Sequence, residues 1–538
     1  MNANRLIAQF ALSGVVIALA GCASISNTDA PSSPMWQAGK EYHLTILHTN
    51  DHHGRFWQNS NGEYGMAARK TLIDNIREEV LLEDGNTLLL SGGDINTGVP
   101  ESDLQDAEPD FKGMNLLKYD AMALGNHEFD NPIEVLRKQR DWAGFPFLSA
   151  NIIDNKTGKP LFDAYKIFTV DDLRVAVVGF TTDDTVKIGN PEYLGGITIK
   201  SPIEVAQDLI PVLEQKADLI VAVTHMGHYD DGNHGGNAPG DVTLARTVPG
   251  IDVIVGGHSQ DPLFEPDVQS GTLILQAHEW GKYVGRLDMT IKDGAIVASD
   301  YELIPVNLKK KVTKSDGSSE RVFIDKEIAQ DPVMLSMLQP YQDIGLEKLN
   351  IEIGFTDGPL VGERKQVRAQ ETNLGNLIAS AMMKKVHADV AVMNSGGIRD
   401  SIPAGKITYK SALQVQPFAN AVAYVDFNAE ELTAYLSAVA GKEAGTGAFA
   451  QTRGVSLVMK DGKATNIKVG GKALEADKTY RVAMNSYTAS GGDGYPKISD
   501  HKNYVNSGYV DADVLAEYIK DYSPILISDY KPTGAVVR

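Results

Sequence analysis

The chain has 538 residues, 43% hydrophobic and 22% charged, with a net charge of −20. That length predicts two or three domains, and the balance argues against disorder. The acidic excess argues against a polynucleotide-binding or basic membrane surface, and one cysteine, Cys22, excludes an internal disulfide and thiolate metal clusters.

Residues 1–21 read as a signal peptide: Arg5 precedes an apolar run at residues 6–20, which is short for a bilayer-spanning helix. Leu19-Ala20-Gly21-Cys22 resembles a bacterial lipobox, which implies cleavage before Cys22 and lipidation of that residue; an ordinary secretory signal is the alternative. Ala23 and Ser24 lack the Asp that retains such proteins at the inner membrane, so the resemblance implies a palmitate-bearing lipoprotein of the outer membrane. Residues 22–41, rich in Ser, Pro, Asn and Asp, read as a flexible tether.

Residues 42–330 repeat one design. Apolar runs at 44–48, 87–90, 121–124, 219–223 and 253–255 each lead at once into a short stretch of Gly, Ser, Thr, Asn, Asp or His. Such runs fit buried strands, and polar residues at strand carboxyl ends face the crevice where α/β proteins keep their sites. The gathered candidates are Asp51, His53, Asp94, Asn126, His225, His258 and Gln260. An oxygen and nitrogen donor set suits Mg, Mn, Zn, Co or Fe without choosing among them. Seven donors around a central Asp point to two divalent metal ions, the arrangement that holds the attacking and leaving oxygens of a phosphoryl displacement. His48, His52, His228 and His234 read as bystanders.

The motifs Asp51-His52-His53, Gly92-Gly93-Asp94, Gly125-Asn126-His127-Glu128, Thr224-His225-Met226-Gly227-His228 and Gly256-Gly257-His258-Ser259-Gln260 resemble, in order, those of the calcineurin-like metallophosphoesterase superfamily. With the second half, the chain resembles the bacterial periplasmic nucleotidase/UDP-sugar hydrolase family. The resemblance implies that Asp51, His53, Asp94 and Gln260 hold one metal and that Asp94, Asn126, His225 and His258 hold the other. It also implies that His127 contacts the phosphoryl group and is oriented by Asp130.

Residues 309–311 (three lysines) read as a solvated turn. A linker helix is expected over 331–350, with Asp331 as N-cap and Val333, Met334, Met337, Leu338 and Tyr341 as its apolar stripe. Pro340 should kink or interrupt it, and Gly345 and Asn350 offer exits. By resemblance this helix joins two domains that rotate against each other.

Residues 351–538 form the expected nucleotide-binding domain. Arginine forks bind phosphates and carboxylates, and the resemblance implies that Arg364, Arg368 and Arg399 bind substrate phosphate. The resemblance implies a nucleobase clamp of Phe418 and Tyr487, and base–aromatic stacking tolerates every base. Asp493 would accept from ribose hydroxyls, and Asn394 and Asn420 would read base edges. Tyr487 stands where many relatives have Phe, and its hydroxyl needs a partner if buried.

The expected fold is therefore α/β: a two-sheet αββα metallophosphoesterase domain, a linker helix and a smaller α/β domain. The expected function is extracytoplasmic hydrolysis of AMP and other 5′-nucleotides by a lipid-anchored monomer, with chloride activation a property of some relatives. UDP-sugar hydrolysis, or 2′,3′-cyclic phosphodiesterase and 3′-nucleotidase activity, is the alternative on the same architecture.

Overall fold

The computed structural model describes residues 36–188, 191–229, 233–234, 238–314 and 318–538. The signal peptide and Cys22 lie outside the described residues. The end of the expected tether is docked, because Trp36 packs on the core between the two large sheets and Gln37 N–H donates to Tyr42 Oη at 2.8 Å.

Two six-stranded sheets stack in the first domain. In the first, Glu41–Thr49, Asn86–Ser91, Ala121–Ala123 and Phe147–Leu148 run parallel, with Ile46 opposite Leu88 and Leu90 opposite Ala121. In the second, Leu173–Thr181, Leu219–His225, Val253–Val255 and Thr272–Leu275 run parallel. Alternate side chains on a strand take opposite faces. Leu44, Ile46, Leu88 and Leu90 therefore meet Val175, Val177, Val221 and Val223 between the sheets. Leu47, Leu89 and Met122 face the Met66–Leu82 and Glu108–Leu117 helices, while Ile220, Ala222 and Ile254 face Pro202–Leu213 and Asp241–Thr247. Both faces are covered, which is why these strands read as unbroken apolar runs.

The Pro332–Leu349 helix opens on Asp331, whose Oδ1 accepts from Met334 N–H at 2.7 Å. Met334 and Leu338 are buried, but Val333 is 60% exposed and does not belong to the packed stripe. The helix also continues through Pro340, which leaves the Ser336 carbonyl without its intrahelical donor but does not end the element. Gly345 is no exit: it lies inside the helix, where a Cβ would stand 2.6 Å from Glu101 Cγ. The lysine run is not a turn either, since Lys309–Thr313 is a strand paired with Ser319–Phe323. Lys310 and Lys311 stay exposed on this two-stranded ribbon while Lys309 donates to Asn61 O, and composition alone does not distinguish that from a turn.

In the second domain a five-stranded sheet carries Val390–Asn394 beside Tyr480–Asn485 and Ala421–Phe427. Asn373–Val386 and Asp511–Tyr522 cover one face, and Ala429–Ala440 with a four-stranded sheet covers the other.

Candidate active site

Every candidate ligand of the first domain sits at or just past the carboxyl end of a parallel strand. Asp51 and His53 follow Glu41–Thr49, Asp94 follows Asn86–Ser91, and Asn126 follows Ala121–Ala123. His225 ends its own strand, and His258 and Gln260 follow Val253–Val255. Asp51, His53, Asp94, His258 and Gln260 all have φ between 49° and 78°, a region non-glycine residues rarely adopt. Such strain persists only where the surroundings impose it, and it concentrates at functional sites. Close approach by the loops requires glycine at two points: a Cβ on Gly125 would lie 2.1 Å from Asp94 Oδ1, and one on Gly92 2.5 Å from Gly256 O.

Asp94 is the centre of the cluster. Its Oδ2 lies 3.0 Å from His225 Nε2 and 3.8 Å from His53 Nε2, and its Oδ1 accepts from His127 N–H at 2.9 Å. His53 Nε2 is 3.9 Å from Asp51 Oδ1 and 3.0 Å from Gln260 Nε2. Ligating atoms of Asp94, His225 and His258 fall within 4.8 Å of one another, as do those of His53, Asp94 and His127. His225 Nδ1 donates to Gly92 O at 2.7 Å and His53 Nδ1 to Thr97 O at 2.8 Å, so both rings turn Nε2 toward the cluster. Fixing the outer ring nitrogen on a carbonyl is the arrangement of metal-binding histidines. Asn126 Oδ1 is buried with no hydrogen-bond partner among the described residues. Two buried carboxylates, inward-facing imidazole nitrogens and an unpartnered amide oxygen fit divalent cations of the oxygen- and nitrogen-preferring kind.

Burial raises the Asp51 carboxyl, against the nearby His225. Burial acts in the same direction on Asp94, but the charges of His225 and His127 outweigh it and depress that carboxyl. His127 feels burial as a lowering effect; the Asp130 and Asp94 carboxylates overcome it and raise its pKa to about 9. His127 opens the short His127–Phe129 turn, and its Nδ1 lies 2.6 Å from Asp130 Oδ2.

The second domain presents the arginines. Arg364 and Arg399 reach solvent and Arg368 is half-buried. Burial, then Arg364 and Arg399, bring Arg368 down to about 10, so the three cations share one region. Arg399 keeps solvent contact but is enclosed by the cleft walls: reduced hydration and Arg364 lower its pKa, while Asp130, Asp94 and Asp493 act in the opposite sense. Its guanidinium lies 5.3 Å over the Phe418 ring, and that ring stacks on His127.

Tyr487 donates its hydroxyl to Asp493 Oδ1 at 2.9 Å, which supplies the partner its burial requires. Gly492 lies under that ring, where a Cβ would meet it at 2.5 Å. Asn394 Nδ2 donates to Asp493 Oδ2 at 2.8 Å and Asn394 Oδ1 accepts from Asn485 at 2.9 Å. Asn420 is buried and hydrogen-bonds Asp511. Both amides thus hydrogen-bond a carboxyl group within the domain, Asn394 that of Asp493 and Asn420 that of Asp511.

Three of the bystander histidines pair outside the cluster: His48 with Tyr301, His52 with Asp110 and His228 with Asp267. Sequence reasoning passed over Glu128. Its buried carboxylate accepts from the N–H groups of Asp94 (2.9 Å), Ile95 (2.8 Å), Asn96 (3.3 Å) and Gly125 (2.6 Å), and from Asn96 Nδ2 (3.0 Å). It ties the Asp94 loop to the Asn126 loop. The signal for it was an acid directly after Asn126-His127, where solvent had no evident access.

The calcineurin-like phosphoesterase family matches residues 44–262, and the 5′-nucleotidase C-terminal domain matches residues 352–500. The chain is 56% identical to a 5′-nucleotidase of Vibrio cholerae over 99% of both chains. It is 52% identical to Protein UshA of Escherichia coli over 97% of this chain and 98% of that one. A 5′-nucleotidase precursor from Thermus thermophilus superposes with a TM-score of 0.72 at 29% identity, covering 92% of this chain and 99% of that one. With these relatives matched from end to end, the chain belongs to the 5′-nucleotidase family, a calcineurin-like phosphoesterase domain followed by a 5′-nucleotidase C-terminal domain.

Proposed function

We propose that this protein hydrolyses AMP and other 5′-nucleotides, with broad base tolerance, to nucleoside and phosphate in the cell envelope. The observation that carries the reading is Asp94, one carboxylate set between His225 at 3.0 Å and His53 at 3.8 Å, as a shared ligand of two ions needs. Asp51, His53, Asp94 and Gln260 would hold one divalent ion, and Asp94, Asn126, His225 and His258 the other. When bound, the ions neutralise phosphoryl oxygens and lower the pKa of an attacking water.

The protein's own groups do the rest. His127, protonated at Nδ1 toward Asp130, keeps Nε2–H for a phosphoryl or leaving oxygen. The positive charge of Arg364, Arg368 and Arg399 offsets the acidic exterior close to the site, where short-range terms dominate. Phe418 and Tyr487 supply base-stacking surfaces, and Asp493, held by Tyr487 and Asn394, accepts from the ribose. Lipidation at Cys22 and outer-membrane anchoring rest on the N-terminal sequence, and the protein is taken to act as a monomer.

The test is phosphate release by chelated protein with single divalent ions added back, from AMP, a 2′,3′-cyclic nucleotide and UDP-glucose in parallel. AMP turnover that returns with metal supports the reading; turnover of the cyclic nucleotide alone overturns it. Repeating the AMP assay in chloride and in acetate salts tests halide activation, and sedimentation tests the monomer.

A further inference from the structure

Thr97 occupies an unusual place. It is a buried β-branched residue with φ of 63°, inside the left-handed region that such residues avoid. The backbone on its amino side is pinned, because Asp94, Ile95 and Asn96 all donate their N–H groups to the Glu128 carboxylate. On its carboxyl side Gly98 has φ of 147°, and a Cβ there would stand 2.6 Å from Arg55 Nη1. Held from both sides, Thr97 turns two groups in different directions. Its carbonyl accepts from His53 Nδ1 at 2.8 Å. Its hydroxyl donates to Asp130 Oδ2 at 2.7 Å, the same oxygen that receives His127 Nδ1 at 2.6 Å.

We propose that Thr97 is a positioning residue that sets the His127–Asp130 pair through its hydroxyl while its carbonyl fixes the ring of His53. This rests on the nucleotidase reading of the same site. The carboxylate of Asp130 would otherwise rotate about its side-chain bonds; a second donor on Oδ2 holds the plane that faces His127 Nδ1. That keeps the His127 proton on Nδ1 and aims Nε2 outward. The carbonyl does the corresponding work for His53, turning its Nε2 toward Asp51 and Asp94. A regular strand or helix conformation at position 97 would not aim the hydroxyl and the carbonyl at these two partners together. The backbone strain therefore coincides with a functional demand, as strain at sites commonly does.

The experiment compares Thr97→Val, which keeps the branched shape and loses the hydroxyl, with Thr97→Ser, which keeps the hydroxyl. kcat and KM for AMP are measured with bound metal after dialysis and the downfield proton resonance of His127 Nδ1–H, identified by its loss in His127→Gln. Thr97→Val should lower kcat about tenfold, a part of what acid–base groups contribute, with KM and metal content unchanged. Its Nδ1–H resonance should move or broaden, and Thr97→Ser should recover most of the rate and the resonance. In an Asp130→Asn background, Thr97→Val should cost less than twofold, because the acceptor it serves is already altered. Wild-type kcat in Thr97→Val, an equal loss in Thr97→Ser, or the full tenfold loss in the Asp130→Asn background each overturns the proposal. If the wild type releases no phosphate from AMP, the nucleotidase reading fails, while the resonance still decides whether the hydroxyl orders the pair.

Discussion

The ring of Phe418, from the second domain, lies parallel to the imidazole of His127, from the first, with centroids 6.0 Å apart and planes 11° from parallel. That pair closes the seam between the phosphoesterase half and the nucleotide-binding half. Nearby, the Thr185–Ile188 turn packs against the Gly492–Gly494 turn across the same seam. In the proposed reading, Phe418 also stacks on the base and so sets how far that base can be from its own phosphate.

Phe418→Ala should therefore raise KM for AMP about 5–150-fold, the equivalent of ~1–3 kcal/mol of stacking, with a smaller change in kcat. Steady-state kinetics with AMP, GMP and UMP check this. An unchanged KM for all three would remove Phe418 from base binding.

Glu128→Gln should weaken both stability and metal retention. One carboxylate now satisfies four backbone N–H groups and an amide. An amide in its place turns an NH2 toward some of those donors, at a cost of about 2–3 kcal/mol. Chemical denaturation and the divalent-ion concentration for half-maximal activity give the two readouts. A variant that denatures like wild type would mean that these loops hold themselves.

Lys410, at the start of Tyr409–Val415, pairs with the buried Glu101 of Pro100–Asp103, beside the linker helix. Lys410→Met strands a buried carboxylate and should cost about 3 kcal/mol. The double variant with Glu101→Gln should be more stable than Lys410→Met alone, because the stranded charge is gone. A double variant no more stable than Lys410→Met would contradict this account.

Asp511, at the start of Asp511–Tyr522, has its carboxyl pushed up to about 8 by burial, against the Ala512 N–H and Asn420 as donors. Between about 3.8 and about 8 the folded form keeps a proton that the unfolded form has lost, so this group's stabilising effect falls as pH rises. Asp511→Asn has no such slope. Its stability relative to wild type should increase by at least about 1 kcal/mol from the acid to the alkaline end of that window, read from denaturation midpoints.

Much of the site could be read from residue order. The apolar runs ending in Asp, Asn and His announced parallel strands with polar carboxyl ends, since a strand buried on both faces must be continuously apolar. Asp331 and Pro332 announced a helix start, because a capping carboxylate and a proline without N–H both suit a first turn. Pro340 misled, since packing of Met334 and Leu338 on the first-domain core outweighs one missing hydrogen bond. The lysine run misled as well, because charge says where water is and not whether the backbone is extended.

What the sequence by itself determined was the inventory: which donors exist, in what order, and that no thiolate is among them. Motif identity follows from local chain chemistry, and local chemistry survives in a string of letters. Only tertiary structure decided that Glu128 bridges two loops, that Asn394 hydrogen-bonds Asp493 and Asn420 Asp511, and that Thr97 stands between His53 and Asp130. These roles depend on distances between segments tens to hundreds of residues apart. Such distances are set by the stacking of two sheets and the docking of a second domain, and no single stretch of sequence encodes them.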